Sequence, residues 1–201
     1  MAPIPPARVA WYVTGRFYES GEGQDAKIED VGYFLHLTGV HAPLFNGHPK
    51  GEATALLTFR SEPFEAKSVT NGNVSIGLDT VGKFSVYLNP EGGASFNDPA
   101  SFSRGTCIAT FQRASVVMGE TISSPVLGGL AIAMNVFTAD LIASTPFELN
   151  GVRYDLADLL PWGVTQWGTA NASPLATFPP YTRIVAFTGS AIAAGSPHHS
   201  R

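Results

Sequence analysis

The sequence predicts an all-β fold, an antiparallel β-barrel of about nine or ten strands that is closed or nearly closed and carries one short helix. Only 14% of the residues are charged, whereas a soluble domain averages roughly a quarter. Apolar residues mostly alternate with polar ones, which is typical of strands with a buried face. A chain with so little charge buries much of both faces of its sheet, as barrels do. A two-sheet β-sandwich is the alternative architecture.

The strands and their connections follow from local patterns. Two of the three Asn-Gly pairs, Asn71-Gly72 and Asn150-Gly151, predict hairpin turns because both central positions of a type I′ turn need positive φ. Residues 154–160 predict the helix, since Asp155 is a good N-cap and Pro161 ends the segment. Strands are predicted at 9–17, 31–38, 52–60, 64–70, 73–78, 83–88, 106–118, 130–144, 163–169 and 183–190. Two short strands, 146–149 and 152–154, are predicted on either side of the Asn150-Gly151 turn.

In the strand 31–38, alternation predicts that Tyr33, Leu35 and Leu37 share one face and that Phe34, His36 and Thr38 share the other.

Two further patterns concern individual strands. Residues 130–144 are apolar on both faces, so we expect this strand to be covered on both sides. The motif Ser-x-Pro-Phe-Glu occurs twice, at Ser61–Glu65 and Ser144–Glu148. We interpret it as a recurring way to end a strand, because Pro cannot donate to the ladder and Phe can pack beneath the corner.

The chain is expected to form a single all-β domain over residues 1–201, with a disordered tail from about residue 195. Cys107 is the only cysteine, which excludes an intrachain disulfide and a multi-cysteine zinc site. Residues 1–6 lack the basic flank and apolar core of a secretory signal. The longest apolar run, 127–137, is too short to cross a bilayer. We therefore expect a cytoplasmic protein without a membrane partner.

Charge and motifs narrow the possible partners. The net charge is −4 and the twelve Lys and Arg residues are scattered, so no nucleic-acid partner is expected. Low surface charge favours a homo-oligomer or an apolar internal cavity. His36, His41, His48 and Glu52 lie close in sequence but lack the spacing of paired-strand metal ligands. No phosphate loop or nucleophile motif is present, so neither a metal nor a cofactor is expected.

The candidate site consists of polar residues within apolar strands. Asp140 lies in the most apolar strand, where a carboxylate needs an Arg partner or a raised pKa. Arg60 and Arg113 each stand near the end of an apolar strand, and His36 lies between two leucines. In a barrel we expect such groups to point inward among aromatic residues. The candidate ligand-binding residues are Tyr33, His36, Arg60, Arg113, Asp140, Trp162 and Trp167. The structural alternative is a buried pair of Asp140 with Arg60 or Arg113 and an outward-facing His36.

The leading hypothesis is a barrel that binds a small apolar or aromatic molecule in a largely apolar cavity. A cofactor-independent isomerase or cyclase is its enzymatic version, with Asp140, His36 or an Arg giving acid–base or electrostatic help. The alternative is a structural or interaction protein that forms a homo-oligomer and has no ligand cavity. No particular residue is identified as catalytic.

Overall fold

The computed structural model describes residues 2–21, 27–64, 67–71, 74–78, 82–120, 133–170 and 174–195. These residues form strands and one short α-helix, joined by turns and two short 3-10 helices at Glu52–Thr54 and Pro99–Ser103. The elements are β1 Val9–Ser20, β2 Lys27–Leu37, β3 Leu57–Ser61, β4 Lys67–Asn71, β5 Val74–Leu78, β6 Lys83–Leu88, β7 Thr106–Glu120, β8 Ala133–Ser144, β9 Phe147–Leu149, β10 Val152–Tyr154, α1 Leu156–Leu159, β11 Val164–Ala170 and β12 Tyr181–Ala193.

Eight of the strands form a closed antiparallel barrel. They follow the order β7-β6-β3-β2-β1-β12-β11-β8, and β8 pairs back onto β7. The predicted barrel is confirmed, with eight strands in the closed cycle rather than nine or ten. The difference arises because two hairpins lie outside the cycle: β4–β5 extends from β7, and β9–β10 forms a separate two-stranded sheet.

The segment between β8 and β11 covers one end of the barrel, called here the helix end. The predicted hairpin is confirmed, since Asn150 and Gly151 have φ of 53° and 73°. The predicted helix is also confirmed, with the Asp155 carboxylate accepting a hydrogen bond from the Ala157 amide at 2.9 Å. Leu156 and Leu159 of this helix are buried in the main core. The helix end is therefore plugged by apolar side chains.

The two Ser-x-Pro-Phe-Glu motifs lie at opposite ends of the barrel. β3 ends at Ser61 and β8 ends at Ser144, as the interpretation of the motif requires. Three antiparallel steps separate these strands in the barrel, so they run in opposite directions. The motif phenylalanines, Phe64 and Phe147, are both buried. Phe147 belongs to the helix end, and Phe64 lies at the other end, called here the Arg113 end.

Aromatic rings fill most of the barrel interior. Trp11 contacts Phe34 and Phe111 edge to face, with ring centroids 5.5 and 5.7 Å apart. Phe84 stacks on Phe111 at 4.9 Å with an interplanar angle of 4°. Such pairs add to the stabilisation that their buried area supplies. The interior is thus a packed core at this level of the barrel.

A second, smaller core lies outside the barrel wall. Tyr18, Val31 and Ile184 on the outer face of β1, β2 and β12 are buried beneath the segments 94–102 and 175–181. The Tyr18 hydroxyl donates to the Phe96 carbonyl at 2.7 Å. One wall of the barrel is therefore covered by its own loops.

The structure corrects two predictions about side-chain direction. Strict alternation in β2 fails because the register shifts opposite Tyr12 and Val13. This irregularity leaves Phe34 and Leu37 both in the core, whereas Leu35 is exposed. A register shift of this kind is typical of a β-bulge.

The second correction concerns β8. The expectation that this strand is covered on both faces is wrong, because Val136 and Ile142 on its outer face are 41% and 52% exposed. Its apolar outer residues face outward from the barrel instead of meeting another layer. Of the other predictions, Gly72 of the first Asn-Gly turn and the tail beyond residue 195 lie outside the described residues.

Two glycines allow β1 and β2 to approach the aromatic core. Gly15 and Gly32 are paired across the ladder. A Cβ on Gly32 would lie 2.6 Å from Phe59 Cζ, and a Cβ on Gly15 would lie 2.8 Å from Phe187 Cζ. Both positions also face backbone oxygens of the neighbouring strand, so neither offers room for a methyl group.

We predict that Gly32→Ala destabilises the protein by about 1–3 kcal/mol, as overpacking of a tight core does. Gly51→Ala is the matched control because a Cβ at Gly51 meets nothing within 4 Å. Urea unfolding of both variants measures the difference. Equal stability of the two variants would contradict the close packing of Phe59 on Gly32.

Candidate functional site

A buried ion pair lies inside the barrel. Asp30 on β2 and Arg113 on β7 point inward, and Arg113 Nη2 donates to Asp30 Oδ1 at 2.6 Å. Their side chains are 7% and 3% exposed. The Asp30 amide donates to Ser61 Oγ at 2.8 Å, which ties the pair to the end of β3. Two opposite charges so deeply buried must remain paired.

Three phenylalanines surround the guanidinium of Arg113. Its carbon lies 5.0 Å from the ring centroids of Phe64 and Phe137 and 5.4 Å from that of Phe84. These distances permit cation–π attraction, which strengthens when the cation is desolvated. The rings therefore stabilise the charge of Arg113 in an apolar environment.

One nitrogen of this guanidinium lacks a hydrogen-bond partner. Arg113 Nη1 is buried and has no acceptor among the described residues. An unsatisfied buried donor costs about 1–3 kcal/mol, so native proteins rarely retain one without an ordered water, a ligand or another reason. Arg113 is the strongest indication of a binding site in the described part of the chain.

A small cavity adjoins the ion pair. Its volume is about 10 Å³, which is room for about one water molecule. Two of the residues that line it, Trp11 and Gln166, are joined by a hydrogen bond of 2.8 Å from the indole Nε1 to the amide Oε1. The cavity is lined by Trp11, Val13, Asp30, Phe34, Phe59, Phe84, Arg113, Phe137 and Gln166. Its surface is thus mostly aromatic, with a few polar groups.

A second polar network lies on the outer wall. Arg60 donates to Glu29 Oε2 through Nε at 3.1 Å and Nη2 at 2.9 Å, and Tyr181 donates to Oε1 at 2.8 Å. Burial, together with the hydrogen bond to Glu29, raises the pKa of Tyr181. Burial also raises the pKa of the neighbouring Tyr18 to about 12. The network holds Tyr181 against the outer wall of the barrel. Both tyrosines remain neutral at physiological pH because their pKa values are raised.

The structure brings only Arg113, of the seven candidate residues, into the barrel interior. Tyr33 and Arg60 are half-buried on the outer wall, where Tyr33 packs on Phe96. The four exposed candidates are His36, Asp140, Trp162 and Trp167. The seven residues therefore do not form a common inward-facing cluster.

The expectation that Asp140 points into the barrel is wrong. Its neighbours in β8, Ala139 and Leu141, face the core, so alternation turns the Asp140 side chain outward, where it is exposed. It pairs with neither arginine: Arg60 binds Glu29 and Arg113 binds Asp30. The predicted buried pair exists for Arg113, but its acid is Asp30.

Asp30 is not among the seven candidate residues, although the sequence indicates that either it or Glu29 points into the barrel. Glu29 and Asp30 are adjacent at the start of an apolar strand, so alternation places one carboxylate on each face of the barrel wall. Gln166 lies two residues from the inward-facing Val164 and shares its face. The sequence predicts only that Trp11 lies in the strand 9–17, and nothing local indicates its contact with Gln166.

No group of three His, Cys, Asp or Glu side chains suited to a metal ion occurs among the described residues. Over the same part of the chain, no helix is long and apolar enough to span a membrane. No protein-family model, curated protein or solved structure matches this chain.

We predict that Arg113→Met destabilises the protein by about 3–5 kcal/mol, because it leaves the Asp30 carboxylate buried without its cation. Adding Asp30→Asn removes that charge, so the double variant should be more stable than Arg113→Met alone. Asp98→Asn, in the exposed pair with Arg104, should change stability by less than about 1 kcal/mol. Denaturant unfolding measures these three variants and the single variant Asp30→Asn, and additive losses in the double variant would contradict a coupled pair.

Proposed function

We propose that the protein binds a small, largely apolar or aromatic molecule inside the barrel, with Arg113 as its polar anchor and without a metal or cofactor. The observation that carries the proposal is the unpartnered Nη1 of a buried arginine beside an aromatic-lined cavity. Ligand pockets are typically apolar with a few convergent polar groups, and this combination supports the proposal.

The cavity defines how a ligand enters. Since its volume is about 10 Å³, a ligand larger than one water molecule requires the Phe84 and Phe137 rings to rotate. The helix end is plugged by α1, whereas Arg113 lies toward the opposite end. Entry from the Arg113 end is therefore part of the proposal. In its enzymatic form, as a cofactor-independent isomerase or cyclase, Arg113 would stabilise negative charge that develops on the substrate.

The three tryptophans provide an internal test of this proposal. Trp11 lines the cavity, whereas Trp162 and Trp167 are 39% and 45% exposed. We predict that titration with toluene, phenol and indole shifts the indole NH resonance of Trp11 in a ¹H–¹⁵N spectrum. The resonances of Trp162 and Trp167 should stay in place.

A Trp11 resonance that none of the three compounds shifts at millimolar concentration would overturn the proposal. Shifts confined to Trp162 or Trp167 would also overturn it, because they would place binding on the outer surface. The double variant Asp30→Asn, Arg113→Met should bind phenol, which can accept from Arg113, more weakly than wild type. The matched control is Glu29→Gln, Arg60→Met, which removes an arginine–carboxylate pair on the outer wall.

The alternative function, a structural or interaction protein that forms a homo-oligomer, is favoured by a different observation. Tyr12, Ser190, Trp167 and Val136 form one row across four neighbouring strands. Three of them are large apolar residues that are 41–45% exposed. A row of apolar side chains on an outer wall is typical of a contact surface, here for a second copy of the chain.

If this row joins copies of the chain, Trp167→Lys should convert an oligomer into a monomer, because it places a charge in an apolar interface. Light scattering during size-exclusion chromatography measures the mass. Trp162→Lys, at an exposed tryptophan outside the row, is the control and should leave the mass unchanged. A wild-type protein that is monomeric at all concentrations would refute this alternative.

A further inference from the structure

The hydrogen-bonding capacity of Arg113 restricts the chemistry of its missing partner. A guanidinium carries only donors, and Nη2 already donates to Asp30 Oδ1. Nη1 therefore requires an acceptor atom, which a purely hydrocarbon ligand does not have. The ligand atom beside Nη1 must be an oxygen or another acceptor.

The charge of the site restricts the acceptor further. Asp30 neutralises Arg113, and both side chains are almost fully buried. A carboxylate or phosphate bound to Nη1 would leave one net negative charge among Phe64, Phe84 and Phe137. Burial of an uncompensated charge in apolar surroundings is costly. A neutral acceptor satisfies the hydrogen-bonding requirement of Nη1 without adding a charge to the site.

The space around the site favours a compact acceptor with no donor of its own. The cavity holds about one water-sized group, which is enough for the oxygen of a carbonyl. A ligand hydroxyl would also bring a donor that needs its own acceptor when buried. The aromatic lining suits an apolar or aromatic body attached to the carbonyl carbon.

We infer that the ligand of the barrel is a neutral carbonyl compound, such as a ketone or aldehyde with a compact aromatic or apolar body, whose oxygen accepts a hydrogen bond from Arg113 Nη1. This inference rests on the proposed function and names the ligand class of the same site. The oxygen occupies the water-sized cavity beside Arg113, and the body displaces the rings of Phe84 and Phe137.

Four probes with one skeleton test the inference: acetophenone, α-methylstyrene, 1-phenylethanol and benzoate. α-Methylstyrene replaces the carbonyl oxygen by a methylene group of similar shape, 1-phenylethanol adds a donor, and benzoate adds a charge. Acetophenone should bind about ten- to a hundredfold more tightly than α-methylstyrene, as expected for one hydrogen bond to a charged donor. Its carbonyl stretching band should move to lower wavenumber on binding.

Gly82 offers a sharper variant than removal of Arg113. A Cβ at Gly82 would lie 3.9 Å from Arg113 Nη1 and 3.5 Å from Phe64 Cβ, so a side chain fits there. In Gly82→Ser, the hydroxyl oxygen is bonded to this Cβ and can accept a hydrogen bond from Arg113 Nη1. This variant should lose the preference for acetophenone and the shift of the carbonyl band. Gly82→Ala adds the methyl group without an acceptor and should retain both.

The outcomes separate this inference from the proposed function. Equal affinity for acetophenone and α-methylstyrene, or tighter binding of 1-phenylethanol or benzoate, overturns the carbonyl inference while ligand binding stands. Retention of the acetophenone preference in Gly82→Ser also overturns it. If none of the four probes shifts the Trp11 resonance, the proposed function falls with it. A preference for acetophenone over α-methylstyrene that is lost in Gly82→Ser and kept in Gly82→Ala supports both the carbonyl inference and the proposed function.

Discussion

The ladder between β1 and β12 joins the two ends of the chain, from Val9 opposite Ile192 to Ser20 opposite Tyr181. With the β7–β8 ladder it closes the sheet, so each strand of the cycle pairs with a neighbour on both sides. A closed eight-stranded sheet has an interior just wide enough to be filled by side chains. Everything inside must therefore pack against the opposite wall, and this explains both the aromatic rings and the glycines beneath them.

Closure also explains why the two acidic residues at the start of β2 have such different environments. Glu29 faces outward and binds Arg60 and Tyr181 on the loop-covered wall, whereas Asp30 faces inward to Arg113. A buried ion pair contributes little net stability, because well-packed apolar residues often serve as well. Stability alone therefore gives no reason for Arg113 in the core, and its unsatisfied Nη1 makes the pair costlier still.

The fold followed from the sequence because its determinants are local: alternation, the Asn150-Gly151 turn and the Asp155 cap all act within a few residues. The barrel strands were miscounted because a hairpin such as β9–β10 has the same local pattern as a barrel strand. The site was largely missed because it depends on register. One bulge changes the alternation of β2, and a shift of one residue decides that Ala139 is buried and Asp140 exposed. Arg60 and Arg113 look alike in sequence, yet they lie on opposite sides of the wall.

The position of the ion pair relative to the plugged end determines where a polar ligand group would find a hydrogen-bond partner. At the helix end, apolar side chains of α1 and Phe147 fill the barrel, so a polar ligand group there would lose its hydration without a partner. Toward the Arg113 end, the guanidinium offers a desolvated donor whose strength is greatest because water is excluded. A carbonyl oxygen that reaches this donor exchanges a bond to water for a charge-assisted bond in a low-dielectric site. The same exclusion of water that makes an unpaired Nη1 costly would therefore strengthen its hydrogen bond to the proposed ligand oxygen.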